Sequence, residues 1–571
     1  MVRQKLHLAL FFVTFFVISL IEGIHMVLDL RFLYFILFIL PLLLFILDTK
    51  KKYSLPKVFV GLIMAYFLFS FISLINSKQI SVSIELFLRD VSLFLLMVYV
   101  QANSEEIKKH IPKIIIILSL VFIGVSGICF LTQYGRDFIR SITLNLLFNP
   151  AYPHKTIGDY LTFAIIICIY FIFVKKESFW RYPLYIFIPI FILSFSRTAY
   201  ITLGSVSLLM LFIYRKKLKR ISPLLLFSLI GNLILIATLL VIFVSTTHNA
   251  SLSFIQNYLQ KTLFIYSRPF LYSHLPFWIA GVKGFLLYPF VGIGQGNFQS
   301  ISFRFTELLF LWSNTSFAIL LDMLTEQGLF VALSFFALIS YVIVTSRKDS
   351  IFYFLLVGLL ISFMGFSAYL YTQIWMLFFI ILGLVLEPKK GSVIEFNKNI
   401  LYLPLCLGVV YMQFLALHYM YIDNGKRELA HKIYPYNKEN VEMLITKEFL
   451  YKANEKTITS YLSQYQKAFS TDPYKLEYIG DTYLSLGKPY KMKALHAYED
   501  SFIWGSYAYG GNLLSRMDKL YKLKKELQGE KAAKQYVQTF TREYRKILEQ
   551  DNKKIQGDLY DNLIETYFPQ R

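Results

Sequence analysis

The sequence predicts an all-α fold: a polytopic helical membrane protein of about thirteen transmembrane helices, followed by a C-terminal extracytoplasmic domain of helical, repeat-like character. Three observations predict it. The 571 residues are 56% hydrophobic and only 16% charged, with a mean hydropathy of +0.53, whereas a soluble domain carries about 25% charge. Apolar stretches long enough to cross a bilayer recur from Leu6 to about Leu417. Between them, clusters of Lys and Arg fall in every second loop. A secreted enzyme, a cytosolic enzyme and a fibrous protein are excluded on these grounds.

The thirteen stretches centre near residues 14, 39, 66, 93, 121, 167, 188, 206, 233, 329, 358, 378 and 408. The first lacks a small-residue cleavage site and twelve more follow, so it reads as retained rather than as a signal peptide. The basic clusters are Arg3/Lys5, Lys50–Lys52, Lys108/Lys109/Lys113, Lys175/Lys176/Arg181, Arg215–Arg220, Arg347/Lys348 and Lys389/Lys390. Short loops on that side hold 22 of the 33 basic residues in residues 1–417, a stretch with 16 acidic residues. Most of the net charge of +22 therefore encodes topology, and no nucleic-acid partner is implied. The N-terminus is expected in the cytoplasm, facing away from the long loop 246–315. An odd number of spans also places residues 418–571 outside. The domains are thus 1–417 in the membrane, among membrane lipids, and 418–571 in solution. Cys129, Cys168 and Cys406 lie in apolar runs, which argues against a disulfide framework or a thiolate metal site.

The tail balances 25 Lys/Arg with 20 Asp/Glu. Lys467-Ala468-Phe469-Ser470-Thr471-Asp472-Pro473 resembles the end of a tetratricopeptide repeat, and Tyr478 to Gly487 resembles the first helix of the next. Gly480 would let the paired helices approach, and Ala494 and Ala497 supply small packing positions. Neighbouring repeats at about 440–470 and 507–550 are degenerate. Such a domain docks or guides a partner, including a protein partner, rather than performing chemistry.

Polar residues at membrane depth carry functional suspicion, and four places on the outer side qualify. Arg197, in Ser194-Phe195-Ser196-Arg197, sits at the outer edge between two spans, where its guanidinium suits a phosphate or carboxylate, or simply snorkels. In the outer loop, Arg268 precedes a stretch around Trp278 that reads as an interfacial helix. The run Tyr288 to Phe298 then carries Gly292, Gly294 and Gly296, with Asn297 beside them. These glycines permit either close backbone approach to a ligand or a tight structural turn. Third come Ser313 and Asn314, followed by Asp322 and Glu326 on one helix face, which would hold an arginine or act as a base. Last, His154 and Lys155 open the sixth span, where they would meet an anionic headgroup or merely decorate a helix start. No Asp-x-Asp and no His pair at metal-ligand spacing occurs, so metal-assisted glycosyl transfer lacks its usual sign.

Taken in order, these features resemble the O-antigen ligase and O-antigen polymerase superfamily of bacterial membrane glycosyltransferases, over about residues 150–345. The series is Ser-x-Ser-Arg before a span, then Arg268 with Trp278, then Pro289 to Phe298, then Asn314 leading into Glu326-Gln327-Gly328-Leu329-Phe330. The resemblance implies transfer or polymerisation of an undecaprenyl-diphosphate-linked oligosaccharide on the outer face of the cytoplasmic membrane. It also implies an inverting mechanism without a metal or other cofactor, and a glycan, lipid or protein acceptor. Arg197 and Arg268 would bind the donor diphosphate, stabilising charge on the leaving group. Where such ligases place a histidine before the asparagine, this chain has Ser313, a poor base at neutral pH. The general base is then Glu326, Glu307, His274 or His154, and the departure points towards polymerase. The competing readings are a lipid-linked oligosaccharide flippase or transporter and a membrane-anchored helical-repeat scaffold. A transporter would show repeated halves and midplane charges; a scaffold would leave Arg197, Arg268 and Glu326 silent on replacement.

Overall fold

The computed structural model describes residues 2–23, 30–133, 154–194, 196–215, 270–305, 313–365, 371–386, 392–450, 455–468, 472–505 and 513–548. The apolar stretch centred near 233, Arg268 and Glu307 lie outside the described residues. The protein is mostly helical, with twenty-two α-helices and one two-stranded sheet among the described residues.

The other twelve apolar stretches each fall on a helix, the tenth only in its second half. They are α1 (Val2–Gly23), α2 (Leu30–Leu47), α3 (Lys57–Ile75), α4 (Ile80–Ala102), α5 (Ser104–Gln133), α6 (His154–Phe173), α7 (Arg181–Leu193), α8 (Arg197–Tyr214), α12 (Leu329–Thr345), α13 (Ile351–Gly365), α14 (Thr372–Val385) and α15 (Asn399–Asp423). Among the described residues, α3 and α15 are long and apolar enough to cross a membrane, with mean hydropathies of 2.5 and 2.0; α1, α2, α6, α7, α8, α12, α13 and α14 carry shorter apolar stretches. The tenth stretch differs most from expectation. A short helix, α11 (Ile319–Glu326), ends at a turn through Gly328, and α12 begins only at Leu329.

The chain folds as two compact units. The first comprises Met1–Ala65, Leu88–Ser273 and Ser334–Met412; the second comprises Tyr66–Phe87, His274–Leu333 and Gln413–Arg571. The second unit thus joins residues 66–87 and 274–333 to the segment from Gln413 onward.

Within the first unit, β1 (Lys52–Pro56) pairs antiparallel with β2 (Val393–Asn397), Lys52 opposite Asn397 and Pro56 opposite Val393. Asp48 is buried beside this ladder, where its carboxylate accepts from the Tyr53 hydroxyl at 2.7 Å, the Lys50 N–H at 3.0 Å and the Asn103 amide at 3.1 Å. Burial alone would raise its pKa, but those donors outweigh burial and hold it below the usual range. The hydroxyls of Tyr170 and Tyr214, at the ends of α6 and α8, both donate to the Asp349 carbonyl, at 3.1 and 2.6 Å. Towards the start of α6, Gly158 lies so near Ser196 that a Cβ would come within 2.7 Å of it. One buried feature has no counterpart among the candidate residues read from the sequence. Arg89 donates to Asp90 from Nε at 3.1 Å and Nη2 at 2.9 Å, and Trp375 Nε1 donates to the same carboxylate at 3.0 Å. The mutual compensation permits an ion pair in an apolar interior.

In the second unit, short α16 (Arg427–Ile433) leads into three successive helix pairs. These are α17 (Lys438–Leu450) with α18 (Glu455–Ala468), α19 (Pro473–Ser485) with α20 (Lys491–Gly505), and α21 (Leu513–Gln528) with α22 (Glu530–Leu548). Helix α19 starts where Pro473 fixes the first turn and Asp472 caps it, accepting from the N–H groups of Tyr474 and Lys475 at 3.1 and 3.2 Å. Gly480 faces the ring of Tyr498, and a Cβ there would lie 2.6 Å from it. Ala494 and Ala497 are wholly buried in the core with Leu476, Ile479 and Tyr483. The glycine and alanines therefore do the packing the sequence assigns to them.

Candidate functional site

The glycine-rich segment lies in the second unit between α9 (Phe270–Leu287) and α10 (Phe298–Phe305). Helix α9 contains the stretch read as interfacial, and Gly281 and Gly284 let it lie close to its neighbours. A Cβ at Gly284 would meet Ile301 at 2.7 Å and Thr325 at 2.8 Å. The Thr325 hydroxyl donates to the Gly281 carbonyl at 2.8 Å. A small apolar core of Phe277, Ala280, Ile293, Phe298 and Ile301 fills the space beneath.

The loop itself crosses between two supports. On one side the N–H groups of Ile293 and Gly294 donate to the carbonyls of Thr325 and Glu326, at 3.2 and 2.7 Å. On the other, the loop between α3 and α4 laces onto it. The Asn76 amide donates to the Gly292 carbonyl at 2.6 Å, and the Lys78 N–H to the Ile293 carbonyl at 3.0 Å. Gly294 has φ +92°, and a Cβ would fall 2.4 Å from Ser77 Oγ and 2.7 Å from Ser83 Oγ. Gly292, at φ +65°, leaves no room beside the Glu326 carbonyl, 2.3 Å from where its Cβ would stand. Gly292 thus lets backbone approach backbone, and Gly294 lets the side chains of Ser77 and Ser83 close on the loop. Asn297 is a cross-link of the same kind, wholly buried, its amide nitrogen 2.9 Å from Ser83 Oγ and 3.0 Å from the Gly294 carbonyl.

The carboxylates of α11 face inward. Glu326 is 0% exposed, and its Oε1 accepts the Phe298 N–H at 2.8 Å. It therefore caps the first turn of α10, where an acceptor and a negative charge are both favourable. Asp322 closes the turn ahead of α11, accepting from the Thr315 hydroxyl at 2.7 Å and the Ser316 N–H at 2.6 Å. Ser313 belongs to that turn too: its N–H donates to Ser302 Oγ at 2.9 Å and its own Oγ accepts the Thr315 N–H at 3.2 Å. Asn314 is exposed. His274 is buried near the start of α9, its ring centroid 4.4 Å from that of Phe317.

The site residues expected from sequence thus divide. Asn297, Gly292, Gly294, Ser313, Asn314, His274 and Glu326 come together in the second unit. Arg197 opens α8, and His154 and Lys155 open α6, all in the first unit. The backbone around Arg197 is fixed by Ser196, whose hydroxyl caps α8 by accepting the Ala199 N–H at 3.4 Å. Residues that the sequence reading passed over are Asn76, Ser77, Lys78 and Ser83. Their signal was a polar tetrapeptide, Asn76-Ser77-Lys78-Gln79, in a short loop with a single cation. The Lys78 ammonium stands 5.3 Å from the centre of the Tyr288 ring, at the rim of the glycine loop. A lysine there offers a mobile point charge to an anionic group. Exposed Asn314 adds an amide able to donate and accept.

The tail touches this assembly through α20, which packs on α10. Arg304 of α10 lies over the Trp504 ring, 5.2 Å from its centre. No protein-family model, curated protein or solved structure matches the chain.

Proposed function

We propose that the chain transfers or polymerises an undecaprenyl-diphosphate-linked oligosaccharide on the outer face of a bacterial cytoplasmic membrane. In this reading about thirteen spans cross the bilayer, the N-terminus is cytoplasmic and the tail is extracytoplasmic. The observation that carries it is the laced assembly of three outer-side pieces. The loop at 76–79, the glycine loop and the turn at 313–326 form one body, on which the tail rests. All are assigned to one side by positive charge alone.

Donor binding falls to Arg197 and Arg268, the two arginines of the O-antigen ligase and polymerase pattern, with Lys78 as a further cation. An acceptor hydroxyl attacks the anomeric carbon from the face opposite the diphosphate. The new C–O bond forms as the old one breaks, and undecaprenyl diphosphate leaves with the bonding pair. The positive charges of Arg197, Arg268 and Lys78 stabilise the charge growing on it. His274 is the base we favour for the hydroxyl proton, because Glu326 is committed to the Phe298 N–H. Ser313, committed to its turn, leaves polymerase as the favoured branch.

The test uses the full chain reconstituted in vesicles with lipid-linked repeat units extracted from the host. The wild type should elongate them. Arg197→Ala and Arg268→Ala should each lose about 10²–10³-fold in rate. Transfer by both variants at the wild-type rate would overturn the proposal.

A further inference from the structure

We infer that the row of first helices in the tail, α17, α19 and α21, forms a binding platform for a neutral, hydroxyl-rich glycan chain. This deepens the function proposed above, on which the identity of the glycan as acceptor or product rests.

Cross-helix contacts fix the row. Lys475 of α19 pairs with Glu442 of α17 at 2.8 Å, and one turn on, the Tyr478 and Thr446 hydroxyls lie 3.4 Å apart. Arg516 and Lys519 of α21 reach back to Glu477 and Asp481 of α19, the Lys519–Asp481 contact being 2.8 Å. Both sets of partners advance in the same direction, so the three helices run parallel.

Two exposed rings stand on this face. Tyr474 is 46% exposed and Tyr478 39%. Four residues apart, they share one side of α19, offset by about 6 Å along its axis, on the scale of one sugar ring. Each is held. The guanidinium of Arg516, itself only 2% exposed, sits 5.1 Å from the centre of the Tyr474 ring. Tyr478 is tethered through Thr446. Rings fixed in advance lose little rotamer freedom when a ligand lands on them.

The charge pattern selects the ligand. Each cation named on the face is matched by an acid: Lys475 by Glu442, Arg516 by Glu477, Lys519 by Asp481. Such a surface has no net field to attract an acidic or basic chain. What remains are aromatic faces, which suit the C–H face of a pyranose, with paired carboxylates and ammonium groups around them to meet hydroxyls. A neutral polysaccharide presents both features at every repeat. The platform belongs to the same compact unit as the glycine loop, so a bound chain would stay attached to the body that carries His274 and Asn314.

The experiment measures binding of purified full chain to neutral bacterial oligosaccharides of graded length, with sialylated and heparin oligosaccharides as acidic comparators. We expect binding to the neutral series that tightens with length. Tyr474→Ala/Tyr478→Ala should weaken it about tenfold or more, while Tyr474→Phe/Tyr478→Phe, which keeps both rings, should stay within about threefold. Thermal unfolding of both variants separates lost binding from lost folding. Absence of neutral-glycan binding, preference for the acidic series, or equal weakening by the Phe pair would overturn the inference. Glycan binding that persists in a chain without transfer activity would refute the proposed function and leave this inference standing.

Discussion

Replacing Glu326 separates two roles that the sequence leaves open, a catalytic base and a fastener of the fold. The side chain is wholly buried and accepts the Phe298 N–H at 2.8 Å. Glu326→Ala would leave that N–H buried without its acceptor, at a cost of about 1–3 kcal/mol, with a cavity cost added. Glu326→Gln keeps an oxygen in place and loses only the charge-assisted part of the bond, about 1 kcal/mol. A base, in contrast, cannot be replaced by an amide without losing about 10²–10⁴-fold in rate. The assay pairs thermal unfolding of the detergent-solubilised chain with the rate of glycan transfer. The geometry predicts that the Gln variant keeps most of both, and that the Ala variant loses stability and activity together. A Gln variant that unfolds at the wild-type temperature but transfers more than a hundredfold slower would refute the fastener and make Glu326 the base.

Further expectations concern the loop, its rim and the tail. Gly294→Ala forces a side chain into φ +92° and onto Ser77 and Ser83, and should destabilise by about 2–4 kcal/mol. Gly204→Ala, which meets nothing within 4 Å inside α8, should be neutral or gain up to about 1 kcal/mol; equal melting temperatures for the two would count against the loop geometry. Lys78→Ala should raise the KM for the lipid-linked donor several-fold while leaving thermal stability unchanged, and an unaltered KM would remove Lys78 from the site. Burial holds the His431 pKa below its ordinary 6.5, against a smaller opposing effect of its bond to Gln464. The unfolded chain therefore takes up that proton first as pH falls. The tail should lose stability from about pH 7 downward, and His431→Gln should flatten that slope in melting curves.

Much of this architecture is written in local pattern. Apolar runs bounded by lysine clusters mark helices one by one, Asp472-Pro473 marks the start of α19, and Gly480 marks a close helix crossing. Each of these needs only neighbours in sequence. What escaped depends on partners far away. The β1–β2 ladder joins residues 52–56 to 393–397, and neither strand carries an alternating pattern strong enough to announce itself. The Arg89–Asp90 pair is hidden because adjacent opposite charges in an apolar helix do not reveal whether they meet water or each other. Asp322 and Glu326 were expected on one helix face, and they share it. The donors they accept from, the backbone N–H groups of residues 316 and 298, are set by the turns that bring those residues to α11 and not by the helix itself. The break at Gly328 was missed because Leu320, Leu321, Met323 and Leu324 keep the average hydropathy high across Thr325-Glu326-Gln327, so hydropathy alone merges α11 with α12.

The size distribution of undecaprenyl-linked glycans in cells lacking this chain tests the central claim most directly. Loss of a transferase of lipid-linked oligosaccharides must leave its donor behind. The account predicts accumulation: single repeat units if the chain polymerises, as Ser313 favours, or long lipid-linked chains if it ligates. A pool unchanged in both amount and length would contradict it.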